Sequence, residues 1–173
     1  MRGRTSPVAL SCLVAVALCA ARGAGAVEAP AEAGAPLSKK EPTGAQLEAW
    51  HAVYDGLAGP GWHGCATHRE NPCACTFRAR GFGYSTYVIE CDDDGNIATI
   101  NLSDQRAAGS IPAEIAGLNF PRLSTFCLGQ NPEITGTIPL SLATVSTLEK
   151  LSFEYNPKLT GTLPPELGSV PNI

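Results

Sequence analysis

Four cysteines, Cys65, Cys73, Cys75 and Cys91, crowd one stretch of the chain, and all three histidines (His51, His63 and His68) lie in or just before it. His63, Cys65, His68, Cys73 and Cys75 could offer soft ligands to zinc. Their spacing, however, matches neither the CxxC nor the HxxxH arms from which zinc sites are built. The acidic run Asp92-Asp93-Asp94-Gly95-Asn96 starts like a calcium loop but places Asn96 and Ile97 where that loop needs its third ligand and its glycine. It reads as a solvated hairpin turn. The chain carries no GxSxG elbow, no HExxH and no phosphate-cradling GxxxxGK[ST]. No catalytic residue, metal or cofactor is therefore expected, and the four cysteines are expected to form disulfides. Four cysteines allow three connectivities, which sequence alone does not separate. Pairing neighbours, Cys65–Cys73 and Cys75–Cys91, would close short loops and stabilise by roughly 2–3 kcal/mol each in the chain-entropy model. Cys127 is the odd cysteine.

That expectation needs an oxidising compartment, and the N-terminus supplies one. Arg2 and Arg4 precede an apolar run from Val8 to Ala21, and Ala24-Gly25-Ala26 offers a small-residue cleavage site. Fourteen apolar residues fall short of the roughly 20 that span a bilayer, so 1–26 reads as a secretory signal peptide and the protein as secreted or cell-surface. The full chain of 173 residues has a formal charge of −4. Beyond residue 26 it carries nine basic and sixteen acidic residues, a net of −7, with five cysteines. Nothing in that balance suits nucleic acid, which calls for a basic patch. Residues 27–43, rich in Ala, Pro and Glu, read as a flexible leader.

The elements that must hold the cysteines come next. Thr43 and Gln46 are spaced as a capping box. Leu47, Trp50, Tyr54 and Leu57 then recur on one helical face until Gly59-Pro60-Gly61 stops it. That aromatic stripe is expected to pack as core. Residues 44–96 thus form an N-terminal cap with cysteines.

From residue 97 the chain is periodic. Ile97-x-x-Ile100-x-Leu102 recurs as Leu123-x-x-Phe126-x-Leu128 and as Leu148-x-x-Leu151-x-Phe153. Gly109-Ser-Ile111-Pro112, Gly136-Thr-Ile138-Pro139 and Gly161-Thr-Leu163-Pro164 follow in register. Apolar residues come three and six beyond each proline: Ile115 and Leu118, Leu142 and Val145, Leu167 and Val170. Steps of 26 and 25 residues fall within the range of leucine-rich repeats. The repeats are 97–122, 123–147 and 148–172, with a fourth opening at Ile173. Each apolar triplet predicts a short strand with its large residues turned inward. Asn131 and Asn156 suit a side-chain ladder between coils, expected to be weaker in the first repeat, where Gln105 stands instead. No coil can bury a core alone, so stability must come from stacking.

These residues carry a resemblance. Ile134-Thr-Gly-Thr-Ile-Pro139 and Leu159-Thr-Gly-Thr-Leu-Pro164 look like the plant-type leucine-rich repeat. Gly59-Pro-Gly-Trp62 and Asn71-Pro-Cys73-Ala-Cys75 are similar to the cysteine-bearing N-terminal cap of that family, as in receptor-like ectodomains and secreted polygalacturonase-inhibitor-like proteins. The resemblance covers about residues 44–173. It implies an α/β solenoid: a short right-handed horseshoe with parallel strands on the concave face and helical or irregular return segments. It also implies recognition of an extracellular protein, peptide or glycan, without catalysis. The alternative is a structural or adhesive surface or wall protein whose repeats act as a spacer; a truncated receptor ectodomain is a third possibility.

The positions between the inward residues give the candidate binding face: Thr99, Asn101 and Ser103, then Thr125, Cys127 and Gln130, then Lys150, Ser152, Glu154 and Tyr155. Tyr155 is the one residue there of the kind that dominates interfaces. Asn101-Leu-Ser103 is a glycosylation sequon on the same face. Cys127, flanked by inward Phe126 and Leu128, is expected to be exposed and able to pair between chains; the uncapped C-terminal coil offers a second route to a dimer.

Overall fold

The computed structural model describes residues 40–75 and 88–173. The expected signal peptide and most of the expected leader lie outside the described residues.

The chain enters through Lys40–Thr43, which the sequence assigns to the leader. Here they lie against the acidic hairpin. The Glu41 carboxylate accepts a hydrogen bond from the Cys73 amide at 3.1 Å, and Pro42 is buried. A Cβ at Gly95 would sit 2.9 Å from the Lys40 and Glu41 carbonyl oxygens, at a φ of 86°, so only glycine fits this approach.

Helix α1 spans Ala45–Gly56. Trp50, Tyr54 and Leu57 are buried along it as its periodicity predicts, and Leu47 is packed at the margin. Their polar tips are satisfied locally. The Trp50 indole donates to His68 O at 3.2 Å, the Trp62 indole to Leu57 O at 2.7 Å, and the Tyr54 hydroxyl to Ala66 O. Burial raises the Tyr54 pKa, and the neighbouring Asp55 carboxylate pushes the same way. The capping box does not form. Gly44 holds the N-cap position with no side-chain cap, and the buried Gln46 is used elsewhere. Its Nε2 donates to Asn119 O at 3.2 Å, and its Oε1 accepts from the Ile97 amide at 3.0 Å. A buried carboxamide that meets one donor and one acceptor across the core outcompetes a solvent-exposed cap.

Two short 3₁₀ turns follow, η1 (Gly59–Gly61) and η2 (Pro72–Ala74). The disulfides are Cys65–Cys75 and Cys73–Cys91, so the neighbour pairing expected above is overturned. Cys73 lies in η2 and Cys75 caps it. The fold brings Cys75 to the loop at Cys65 and Cys73 to the end of strand β1 (Val88–Cys91), an exchange of partners that loop length does not reveal. With all four sulfurs in disulfides, the zinc reading loses its thiolates.

Strand β1 turns through Asp92–Asn96 into β2 (Ile97–Asn101), antiparallel to it. The acidic run is a hairpin turn, as expected. Asp92 Oδ1 accepts from the Asp94 and Asn96 amides at 3.0 and 2.8 Å. Hydrogen bonding from the Asn96 side chain, above all, holds the Asp92 carboxyl below its ordinary range.

The repeats follow: β3 (Ala108–Ser110), β4 (Thr125–Cys127), β5 (Glu133–Thr135), η3 (Leu140–Thr144), β6 (Lys150–Ser152) and η4 (Pro165–Ser169). One sheet runs β1-β2-β4-β6, with β2, β4 and β6 parallel. Its register pairs Ile100 with Phe126 and Phe126 with Leu151, the alignment that the apolar triplets predict. A second sheet pairs β3 with β5 in parallel, and an isolated bridge from Gly136 to Leu159 continues it. The core lies between the two sheets, along one line from Trp50 to Val170. This is a leucine-rich-repeat solenoid with parallel strands. Among the described residues no helix is long and apolar enough to cross a membrane.

Leu118 departs from the pattern. It is 97% exposed, and Phe120, fully buried, takes its place. The segment from Pro112 to Leu123 is two residues longer than that from Pro139 to Leu148, so equivalence is kept by counting back from the next strand. The Leu123 amide bonds Phe120 O at 3.3 Å, as the Leu148 amide bonds Val145 O at 3.2 Å.

Candidate binding face

The ladder sets the rigidity of this face. Asn131 is fully buried. Its Oδ1 accepts from the Gln105 and Ala107 amides, both at 3.0 Å. Its Nδ2 donates to Leu102 O, Leu128 O and Gly129 O at 2.9, 2.8 and 3.1 Å. Asn156 repeats this one coil later, accepting from the Asn131 amide at 2.9 Å and donating to Leu128 O at 3.0 Å. Gln105 does not weaken the ladder. Its longer side chain carries it backwards: Oε1 accepts from the Gly64 amide at 2.9 Å, while the His63 amide donates to Gln105 O at 3.1 Å. An asparagine is one methylene shorter, and here the extra reach joins the first repeat to the disulfide-bearing segment.

On this scaffold the expected face residues separate into three rows. Thr99, Thr125 and Lys150 align across β2, β4 and β6 and are half-buried. The Thr99 hydroxyl donates to Glu90 on β1 at 3.0 Å. Asn101, Cys127 and Ser152 form the second row. Cys127 is fully buried, which corrects its expected exposure, and Ser152 is buried as well. Cys127 is short and sits on the middle strand, where neighbours on both sides shade it. The Ser152 hydroxyl donates to the Glu154 carboxylate, which folds over Gly129; a Cβ there would collide with Glu154 Oε1. Gly129 therefore makes the space that lets Glu154 lie down across the face. Asn101 is half-buried, and its Oδ1 accepts from the Ser103 amide at 3.2 Å. A dimer through the Cys127 sulfur is closed off while this row stays packed.

The third row is the rim, just before each ladder residue. Asp104, Gln130 and Tyr155 are exposed, Tyr155 to 71%. Main-chain bonds stack them coil on coil: the Asp104 amide to Gly129 O at 2.9 Å, the Gln130 amide to Glu154 O at 2.8 Å. All three adopt left-handed backbone, at φ of 56°, 60° and 57°. Together with Pro132 they line an open hollow of about 530 Å³. Asp104, an outward position of the first repeat in the sequence, shares its offset with Gln130 and Tyr155, two residues past the last inward apolar residue.

No family model matches the chain, and no curated protein matches it in sequence. Solved structures do match. The leucine-rich-repeat ectodomain of the plant membrane receptor kinase GASSHO1/SCHENGEN3 from Arabidopsis thaliana, in complex with Casparian strip integrity factor 2, is 26% identical with a TM-score of 0.53. The match covers 75% of this chain and 14% of that one. The ectodomain of the Arabidopsis receptor kinase SOBIR1 is 17% identical at a TM-score of 0.51, over 77% of this chain and 65% of that one. A plant ice-binding protein is 18% identical at a TM-score of 0.52, over 78% and 47%. The chain thus spans less than two thirds of the length of these relatives, and its fold is that of plant-type leucine-rich-repeat ectodomains with a cysteine-bearing N-terminal segment.

Proposed function

We propose that this chain is an extracellular ligand-recognition module that binds a protein or peptide on the face of the β1-β2-β4-β6 sheet, along the rim that ends in Tyr155. The observation that carries this reading is the stacked column of exposed side chains at Asp104, Gln130 and Tyr155, held in register by a buried amide ladder. A rigid platform lowers the ordering cost that a ligand must overcome. The two disulfides and the expected signal peptide support an oxidising, extracellular setting. A glycan at Asn101 would cover β2 and leave β6 open. The test is capture of ligands from an extracellular protein and peptide library by the full chain. Tyr155→Ala and Glu154→Lys are expected to weaken a captured ligand about tenfold; unchanged affinity in both moves the site off this face.

A second reading has its own observation. The second sheet sets Ser110 opposite Thr135, and the bridge that continues it sets Thr137 opposite Thr160, all four exposed. The Thr135 and Thr160 hydroxyls are pinned to Gly109 O and Gly136 O at 3.0 and 2.9 Å. A regular array of hydroxyls and methyls suits an ordered water lattice, and one protein of this fold is ice-binding. The Lys158–Glu133 pair at 2.5 Å interrupts its margin. Ice recrystallisation assays on the full chain decide: inhibition lost in Thr135→Lys supports this reading, and no inhibition by the unaltered protein dismisses it.

A further inference from the structure

Among the described residues, Arg69 and Lys150 are the half-buried members of the arginines and lysines, and the fold treats them differently. The Arg69 guanidinium pairs with Asp55 and with Glu70, both at 2.7 Å. Even the exposed Lys40 and Lys158 have carboxylate partners, Asp94 and Glu133. Lys150, in the first row of the sheet face, has neither an ion pair nor an ammonium hydrogen bond among the described residues. Glu149 and Glu154 flank it in the chain, yet neither pairs with it. Glu154 is committed to the Ser152 hydroxyl and lies over Gly129. A cation drawn partly out of water and left without a partner is held at a cost that an incoming anion relieves.

A second donor stands beside it. Thr125 on β4 is in register with Lys150, one strand away at about 4.8 Å, and is also half-buried. Strands β2, β4 and β6 bear three hydroxyls, those of Thr99, Thr125 and Ser152. The Thr99 hydroxyl goes to Glu90 and the Ser152 hydroxyl to Glu154, whereas that of Thr125 meets no partner among the described residues. A carboxylate accepts at both oxygens, so one such group can take the ammonium and the hydroxyl together. We propose that Lys150 and Thr125 form a subsite for a carboxylate of a bound protein or peptide. The proposal rests on the recognition reading above and gives it a ligand chemistry.

The experiment uses the full chain and an array of random decapeptides with amidated C-termini, each position scanned with Glu, Gln and Lys. Parallel arms carry the Gln peptides with a free C-terminal carboxylate, and uronate oligosaccharides. Peptides that bind are expected to do so about tenfold more tightly with a carboxylate than with Gln at one position, whether side chain or terminus supplies it. Lys150→Met keeps the aliphatic stem and should remove that preference. Lys150→Arg should retain it, and Lys150→Glu should turn it toward Lys. Thr125→Val should weaken it about threefold. Lys158→Gln, which deletes a cation outside this face, should leave it unchanged. A preference that survives Lys150→Met, or that Lys158→Gln abolishes equally, overturns the subsite. Saturable peptide binding with no preference for a carboxylate also overturns it but leaves a recognition module standing. Uronate binding lost in Lys150→Met, with no peptide bound, overturns the peptide assignment; no binding to any probe overturns both readings.

Discussion

Carboxamides, not the aromatic residues, hold the parts of this molecule together. Asn131 makes five bonds to buried backbone groups, so Asn131→Ala would strand several donors and acceptors at once. An expected loss of about 2–4 kcal/mol in chemical denaturation follows, at 1–3 kcal/mol for each unsatisfied group with partial relaxation. Gln105→Asn is the subtler variant. It keeps the chemistry but withdraws the reach to Gly64, and about 1 kcal/mol should be lost. Asp92 adds a pH dependence. Its folded-state pKa lies below the ordinary 3.8, so folding favours the carboxylate. That contribution is complete above the unfolded value and disappears as pH falls through the folded one. Asp55, lowered mainly by its hydrogen bond to the Arg69 guanidinium, acts in the same direction. In thermal melts from pH 5 to pH 2, Asp92→Asn should flatten the acid-side decline. The Asn131–Asn156 ladder and the Asp92 turn were legible in the sequence, but the roles of Gln46 and Gln105 were not, because their partners lie 51 and 41 residues away. A residue's type announces that it needs a partner, but not where the fold will bring one.

At the scale of elements, the apolar triplets were legible because period and burial are the same fact seen twice. Ile100, Phe126 and Leu151 share one register, and the first two are fully buried. Phe126→Ala should therefore cost about 3–5 kcal/mol. Leu118 was misplaced because a count forward from Pro112 ignores the two extra residues before Leu123, whereas a count back from Leu123 does not. The disulfides could not be read from loop length, since Cys65 and Cys91 are brought to their partners by the fold and not by spacing along the chain. Peptide mapping under non-reducing conditions should recover Cys65–Cys75 and Cys73–Cys91 as linked pairs. Cys127 failed for a related reason. Alternation places it on the outer face, but its exposure depends on what lies beside it on β2 and β6. Iodoacetamide should modify it slowly in the native protein and quickly in denaturant; fast native labelling would mean that the row of Asn101, Cys127 and Ser152 opens in solution.

As a whole molecule, the chain is a stack whose first layer differs from the rest. Helix α1 touches the start of β2 through Gln46 and the return segment at Asn119 through the same side chain. The Leu57 carbonyl accepts from Ala108 at 3.2 Å, at the head of the second sheet. Both sheets therefore begin against one helix. In a linear stack, nearest-neighbour contacts carry the cooperativity, so damage at the first layer should be felt throughout. Hydrogen exchange should show Gln46→Ala lowering protection in β2 and β3 together, while a change confined to η4 leaves both intact.

The rim column carries a consequence for how this chain can change. Left-handed backbone costs a non-glycine residue about 1 kcal/mol, and glycine escapes that cost. Asp104, Gln130 and Tyr155 are thus three places where a single substitution to glycine should raise the melting temperature. Selection for stability alone would drift all three to glycine and erase the column. Melting and binding measured on the same three glycine variants should move in opposite directions.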